Sequence, residues 1–147
     1  MPTRNILVTG ATGKQGKAVV QALLAHPPTF NYHILALTRK TNSPAAKALS
    51  AHPKITLIEG DLEHAGEIFT KAGGVGSVWG VFLMTLPSFK KSSENIETRQ
   101  GKKLIDAAVA HDVKHLVFSS VDRGGADQSE VNATDIPHFI SKVFLKF

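Results

Sequence analysis

An α/β fold built on a doubly wound parallel sheet is what this sequence predicts, and three observations carry that reading. Five short apolar runs recur along the 147 residues, helical patterns separate them, and a glycine-rich turn joins the first run to the first helical pattern. Alternation at this spacing demands crossover connections. These are right-handed and cover both faces of a parallel sheet.

The runs are "NILVTG" (5–10), "YHILALTR" (32–39), "KITLIEGD" (54–61), "SVWGVFLM" (77–84) and "KHLVFSSV" (114–121). Each is nearly continuous and rich in β-branched or aromatic residues, the pattern of a strand buried on both faces. In "KQGKAVVQALLAH" (14–26), Ala18, Val19, Ala22 and Leu23 share a face, and Pro27–Pro28 stops the helix. "SPAAKALSAH" (43–52) starts at Ser43 with Pro44 in its first turn, and Pro53 ends it. In "LEHAGEIFTKAGG" (62–74), Leu62, Ile68 and Phe69 are the expected buried positions before a glycine pair. The longest pattern is 92–112, where Ile96, Leu104, Ile105 and Ala108 face inward and Glu97, Lys102 and Lys103 face water. The expected strand order is 3-2-1-4-5. No repeat or linker divides the chain, so residues 1–147 read as one domain.

Composition narrows the function classes. There are no cysteines, which excludes disulfide scaffolds, zinc-thiolate sites and thiol catalysis and fits a reducing compartment. The N-terminus carries no secretory pattern and no apolar run approaches the ~18 residues of a membrane span. A cytoplasmic location is expected, with the nucleus as a further compartment. The net charge of +5 is spread along the chain rather than interleaved with aromatics. This argues for a solvated basic face or an anionic cofactor, and against direct nucleic-acid binding. The seven histidines show no metal-ligand spacing, so no metal is expected.

The first strand runs into "VTGATGKQG", where Gly10, Gly13 and Gly16 form G-x-x-G-x-x-G, with Ala11, Thr12, Lys14 and Gln15 between them. Strand, tight turn and helix N-terminus together make the dinucleotide-binding arrangement of a Rossmann fold. Gly10 permits the turn, Gly13 admits a pyrophosphate, and Gly16 lets the helix pack close. The helix start offers free N–H groups at its positive end. The second strand ends "LTRK", with Arg39 and Lys40 where NAD sites usually carry an acid. A guanidinium suits a 2′-phosphate, so NADP(H) is favoured over NAD(H), and Lys47 on the next helix adds charge. Asp61, in "EGDLE", sits where an adenine amino group could be read, or caps the helix starting at Leu62.

In this order, "VTGATGKQG", "LTRK", "GDLE", "QGKKLIDAAVAHDVKHLVFSS" and "IPHFISK" resemble the NmrA-like family, atypical relatives of short-chain dehydrogenases/reductases. The resemblance implies an NADP(H)-binding Rossmann part followed by a smaller C-terminal part that completes a ligand cleft. It implies a pyrophosphate loop at Gly10 to Gly16, a 2′-phosphate contact at Arg39 and an adenine edge at Asp61 and Leu62. Thr85, Leu86 and Pro87 match the loop after the fourth strand. Arg99 matches a basic residue near the cofactor, and Lys142 the lysine that touches the nicotinamide ribose. Related reductases use Tyr-x-x-x-Lys, in which lysine lowers the phenol pKa for proton donation. Here the spacing reads His138-x-x-x-Lys142, while Tyr32, the only tyrosine, opens the second strand in a structural place. Ser119 and Ser120 stand where relatives keep a carbonyl-polarising serine.

Two functions follow as expectations. One is a redox-sensing, transcription-regulatory module that binds NADP(H) without strong catalysis and engages a regulatory protein partner, as the resemblance implies. The other is an NADPH-dependent reductase of a quinone or small carbonyl, with His138 and Lys142 as catalytic residues. The ending "IPHFISKVFLKF" reads as a shortened terminus lacking the usual C-terminal subdomain. Its apolar side chains suggest a homodimer.

Overall fold

In the computed structural model, residues 2–85 and 96–119 are described. The strands are β1 (Arg4–Val8), β2 (Tyr32–Thr38), β3 (Ile55–Glu59), β4 (Gly80–Leu83) and β5 (His115–Phe118). The helices are α1 (Lys14–Ala25), α2 (Pro44–Ser50), α3 (Ala65–Lys71) and α4 (Ile96–Ala110), with a 3-10 turn at Leu62–His64 before α3. All strand pairs are parallel, and the sheet order is β3-β2-β1-β4-β5, as the alternation predicts.

Two apolar layers sandwich the sheet. On one face, Ile68 and Phe69 of α3 and Leu104 and Ala108 of α4 pack on Leu7, Leu35, Val81 and Leu83. On the other, Val20 of α1 and Leu49 of α2 meet Val8, Ile34, Ala36 and Ile55. Alternate residues of each central strand feed opposite layers, so the strands are apolar throughout. Phe69 is fully buried, and its truncation to alanine removes about 3–5 kcal/mol. Tyr32 is buried and donates to the Leu23 carbonyl at 3.1 Å, a structural role that ties α1 to β2. On β5, Leu116 and Phe118 join the α3/α4 layer, while Val117 on the other face is 62% exposed.

Helix ends follow local chemistry. The Ser43 hydroxyl caps α2 by accepting from Ala46 N–H at 3.2 Å, and Pro44 occupies the first helical position. After α3, the amides of Gly73 and Gly74 bond back to Thr70 and Phe69. After α4, Asp112 adopts φ 61° in the equivalent place, and Val113 N–H returns to the Ala108 carbonyl at 3.0 Å.

Two helix faces differ from the sequence expectation. On α1 the buried residues are Gly16 and Val20; Val19 and Leu23 pack partly buried against that layer as expected, while Ala18 and Ala22 are exposed. On α4, Leu104 and Ala108 are buried, Ile105 packs on them, and Lys102 and Lys103 are exposed, as expected. At its start, however, Glu97 is fully buried and Ile96 is 46% exposed, the reverse of the expectation for that pair. The Thr85 hydroxyl, at the end of β4, donates to Glu97 Oε1 at 2.5 Å. That partner lets a carboxylate face inward, since a buried carboxylate needs hydrogen bonds to offset its lost hydration.

Candidate functional site

The carboxyl ends of β1, β2, β3 and β4 surround a crevice of about 230 Å3. Its floor starts at Thr9, which is fully buried. The Thr9 hydroxyl accepts from Met84 N–H at 2.8 Å and lies 3.1 Å from the Phe82 carbonyl, pinning the end of β1 to β4. The chain then turns sharply at Gly10, φ +59°, and Gly13 N–H closes the turn on the Gly10 carbonyl at 2.9 Å. Gly16 has no room for a side chain: a Cβ there would lie 2.1 Å from Gly10 O and 2.6 Å from Gly10 C. The helix start therefore presses directly on the turn, which explains why Gly16 rather than Ala18 lies on the buried face. Ala11 is buried beneath the turn, and its N–H reaches the Leu37 carbonyl at 3.3 Å.

Gly13 caps α1 without any side-chain hydrogen bond. Side-chain caps normally satisfy the orphan N–H groups of a first turn, so this helix start remains available to an anion. Thr12 and Gly13 line the crevice, whereas Lys14 and Gln15 stand exposed in the first turn of α1. Gln15 Oε1 takes a hydrogen bond of 3.0 Å from the Ser119 hydroxyl, linking the glycine turn to the end of β5.

The opposite wall comes from β2 and β3. Arg39 lines both the crevice and a second hollow formed with Thr12, Thr38, Lys40 and Ser43. Among the described residues, neither Arg39 nor Lys40 makes an ion pair. Lys47 lies on α2, exposed and off both walls. Asp61 does two things at once: it lines the crevice, and its Oδ1 accepts from Glu63 N–H at 2.9 Å to start the 3-10 turn. Leu62 lies beside it on the wall.

Arg99 sits on α4 with its guanidinium on Glu63, Nη2 to Oε1 at 2.7 Å and Nε within 3.2 Å of both oxygens. Lys103 reaches the same carboxylate at 3.0 Å, and Gln100 Nε2 at 3.2 Å. Hydrogen bonds from Arg99 and then Lys103 hold the Glu63 carboxyl down to about 2. Thr85 is buried under α4 on Glu97. Leu86, Pro87, Ser120, His138 and Lys142 lie outside the described residues, as does the ending 136–147.

Sequence reasoning missed Thr9, Thr38, Gly60, Met84 and Gln100, all of which line the crevice. Thr9 belongs to the "VTG" run and was legible in principle. Gln100 and Met84 arrive through sheet order and helix packing, which no local pattern reports.

No described helix is long and apolar enough to cross a membrane, and no described His/Asp/Glu cluster has metal-site geometry. Residues 2–146 match the NmrA-like family. The NmrA-like family domain-containing oxidoreductase notA of Aspergillus sp. (strain MF297-2) is 36% identical over 140 residues, 90% of this chain and 39% of that protein. This chain spans between 32% and 39% of the length of the curated relatives it matches. Among solved structures, NADPH-dependent quinone oxidoreductase QOR2 of Escherichia coli, complexed with NADPH, aligns with TM-score 0.68 at 22% identity, covering 95% of this chain and 42% of that one. NmrA, a negative transcriptional regulator, aligns in its NADP complex with TM-score 0.68 at 21% identity, covering 99% and 41%. It has also been solved with NAD, at TM-score 0.67 and 21% identity, covering 99% and 42%. These structural likenesses confirm the Rossmann-type fold. The extent of the family match decides the rest: the chain belongs to the NmrA-like family.

Proposed function

We propose that this chain binds NADP(H) across the carboxyl edge of its sheet and serves as a redox-sensing, transcription-regulatory module. The observation that carries the reading is Arg39, a guanidinium without an ion-pair partner among the described residues, on the wall between crevice and second hollow. The residues fit a dinucleotide. A Cβ-excluding turn at Gly10 to Gly16 leaves backbone N–H groups for a pyrophosphate, Asp61 and Leu62 flank space for an adenine, and Arg39 with Lys40 suits a 2′-phosphate. Lys14, Gln15 and Lys47 add polar and positive groups around that path, Thr85, Leu86 and Pro87 form the loop after β4 and Arg99 a basic group near the cofactor, and Lys142 would touch the nicotinamide ribose. Two structural neighbours carry NADPH or NADP, and one of them is also known with NAD.

The regulatory reading rests on the replacement of the expected tyrosine by His138 ahead of Lys142. NmrA, a neighbour in fold, is a negative transcriptional regulator. The chain would then act as one dinucleotide-binding unit in the cytoplasm or nucleus, engaging a regulatory protein and pairing with a second copy through its apolar ending. A second reading is favoured by the fungal relatives being oxidoreductases. In it, the residues around the crevice would hold a dinucleotide able to supply hydride to a quinone or small carbonyl, and His138 or water would supply the proton.

Isothermal titration calorimetry with NADP+ and NAD+ tests the binding, alongside NADPH oxidation over a panel of quinones and aldehydes. Saturable binding without turnover is the expected result. Turnover abolished by His138→Phe moves the chain to the reductase reading, and failure to bind either dinucleotide overturns both. Trp79 fluorescence is a poor reporter here. Its backbone pairs with Asn5 and Lys114 at the amino ends of β1 and β5, away from the crevice.

A further inference from the structure

Along the sequence, no acid stands near Arg39 and Lys40. The sheet changes this. β2 and β3 pair in parallel with Thr38 opposite Glu59, so Glu59 ends its strand level with the start of the β2–α2 loop. Its carboxylate reaches into that loop, where Oε2 accepts from the Thr41 hydroxyl at 2.8 Å and from Thr41 N–H at 3.4 Å. These bonds favour the ionised form and lower its pKa, the Thr41 hydroxyl contributing most, with Lys71 adding a smaller attraction. No ion pair joins Glu59 to Arg39 or Lys40 among the described residues. The acid keeps its charge beside the hollow without neutralising the cations on its wall.

The loop does not depend on that charge for its shape. Lys40 N–H donates to the Thr38 hydroxyl at 3.2 Å, and Ser43 N–H donates to the Lys40 carbonyl at 3.3 Å. An amide at position 59 would still offer Thr41 an acceptor oxygen. Charge and architecture can therefore be separated by one isosteric substitution.

We infer that Glu59 sets the cofactor selectivity of this crevice: held on Thr41, its charge opposes a 2′-phosphate in the hollow of Thr12, Arg39, Lys40 and Ser43. NADP(H) and NAD(H) affinities are thereby brought closer together than Arg39 and Lys40 alone would set them. The inference rests on the dinucleotide reading above. A like charge near a phosphate in a water-exposed hollow repels weakly, enough to change an affinity on the order of threefold, and salt screens the effect.

The test is calorimetric titration of the full chain with NADP+ and with NAD+, for wild type, Glu59→Gln and Glu59→Asp, at low salt and at about 0.5 M salt. In Glu59→Gln the ratio of NADP+ to NAD+ affinity should rise about threefold at low salt and contract at high salt. Glu59→Asp, which retains the charge, should stay near the wild-type ratio. A purely structural clamp would instead weaken both dinucleotides together. An unchanged or reduced ratio in Glu59→Gln overturns the inference and leaves the dinucleotide reading standing, because the wild type still binds. A wild type that binds neither dinucleotide overturns both.

Discussion

The amino and carboxyl ends of the same five strands are built on opposite plans. At the amino end, side chains close on one another. The Arg4 guanidinium lies 4.5 Å from the Phe30 ring and 4.8 Å from the Trp79 ring, and Trp79 packs on Phe30 at 5.0 Å and on His115 at 4.3 Å. At the carboxyl end, backbone turns keep space open, α1 starts without a side-chain cap, and Arg39 and Lys40 lack ion-pair partners among the described residues. One end spends its aromatic surface on cohesion, and the other leaves charge and N–H groups for a ligand. On the proposed dinucleotide reading, stability and binding are segregated along the strand axis, and substitutions at the two ends should separate them.

The largest effect is expected where the two properties meet. Gly16→Ala drives a Cβ into Gly10 O, Gly10 C and Ala11 Cα, all backbone atoms with no flexible side chain to yield. It should cost about 1–3 kcal/mol of stability and remove measurable dinucleotide binding. Thermal melts and calorimetry check both; a variant that melts and binds like wild type breaks the account of the turn. Next, Trp79→Ala opens the amino-end cluster and should lower stability by about 2 kcal/mol, since the ring is only half-buried. Its NADP+ affinity should shift less than about twofold, because the crevice lies at the other end. A large fall in affinity would show that the ends are coupled.

Arg39→Met makes the converse case. NADP+ affinity should fall about 10- to 100-fold, the worth of a charge-assisted bond, while the melting curve moves little. Equal weakening of NAD+ would remove Arg39 from the 2′-phosphate position. The smallest effect concerns Glu63, bonded to Arg99 and Lys103 beside the crevice. Its carboxyl is held down from 4.5 to about 2, so its contribution to stability is present above pH 4.5 and is lost as pH falls through about 2. The melting-temperature gap between wild type and Glu63→Gln should exist at neutral pH and close across that window. Its size is small because the pair is partly exposed.

The strands, their order and the glycine turn were legible because each leaves a local mark: a continuous apolar run, a proline stop, glycines at fixed spacing. Helix phase was less so. Ile96 and Glu97 are neighbours on α4, and apolarity alone places Ile96 inside; the Thr85 hydroxyl reverses the choice by giving Glu97 a buried partner. On α1, the close packing at Gly16 was legible from the glycine spacing, but the exposure of Ala18 and Ala22 was not, because apolarity alone places both inside. Glu59 meets the β2–α2 loop through strand register and Gln100 reaches the crevice through helix packing, across sequence separations of 18 or more, as the Thr41–Glu59 and Glu63–Gln100 bonds show. Sequence spacing does not encode such meetings. His138 and Lys142 lie outside the described residues.

The most direct test of the central claim is a crystal structure with NADP+ bound. The account requires the pyrophosphate on the Gly10–Gly13 turn at the start of α1 and the 2′-phosphate in the hollow of Thr12, Arg39, Lys40 and Ser43. A dinucleotide bound elsewhere, or a crevice that stays empty at saturating NADP+, would contradict it.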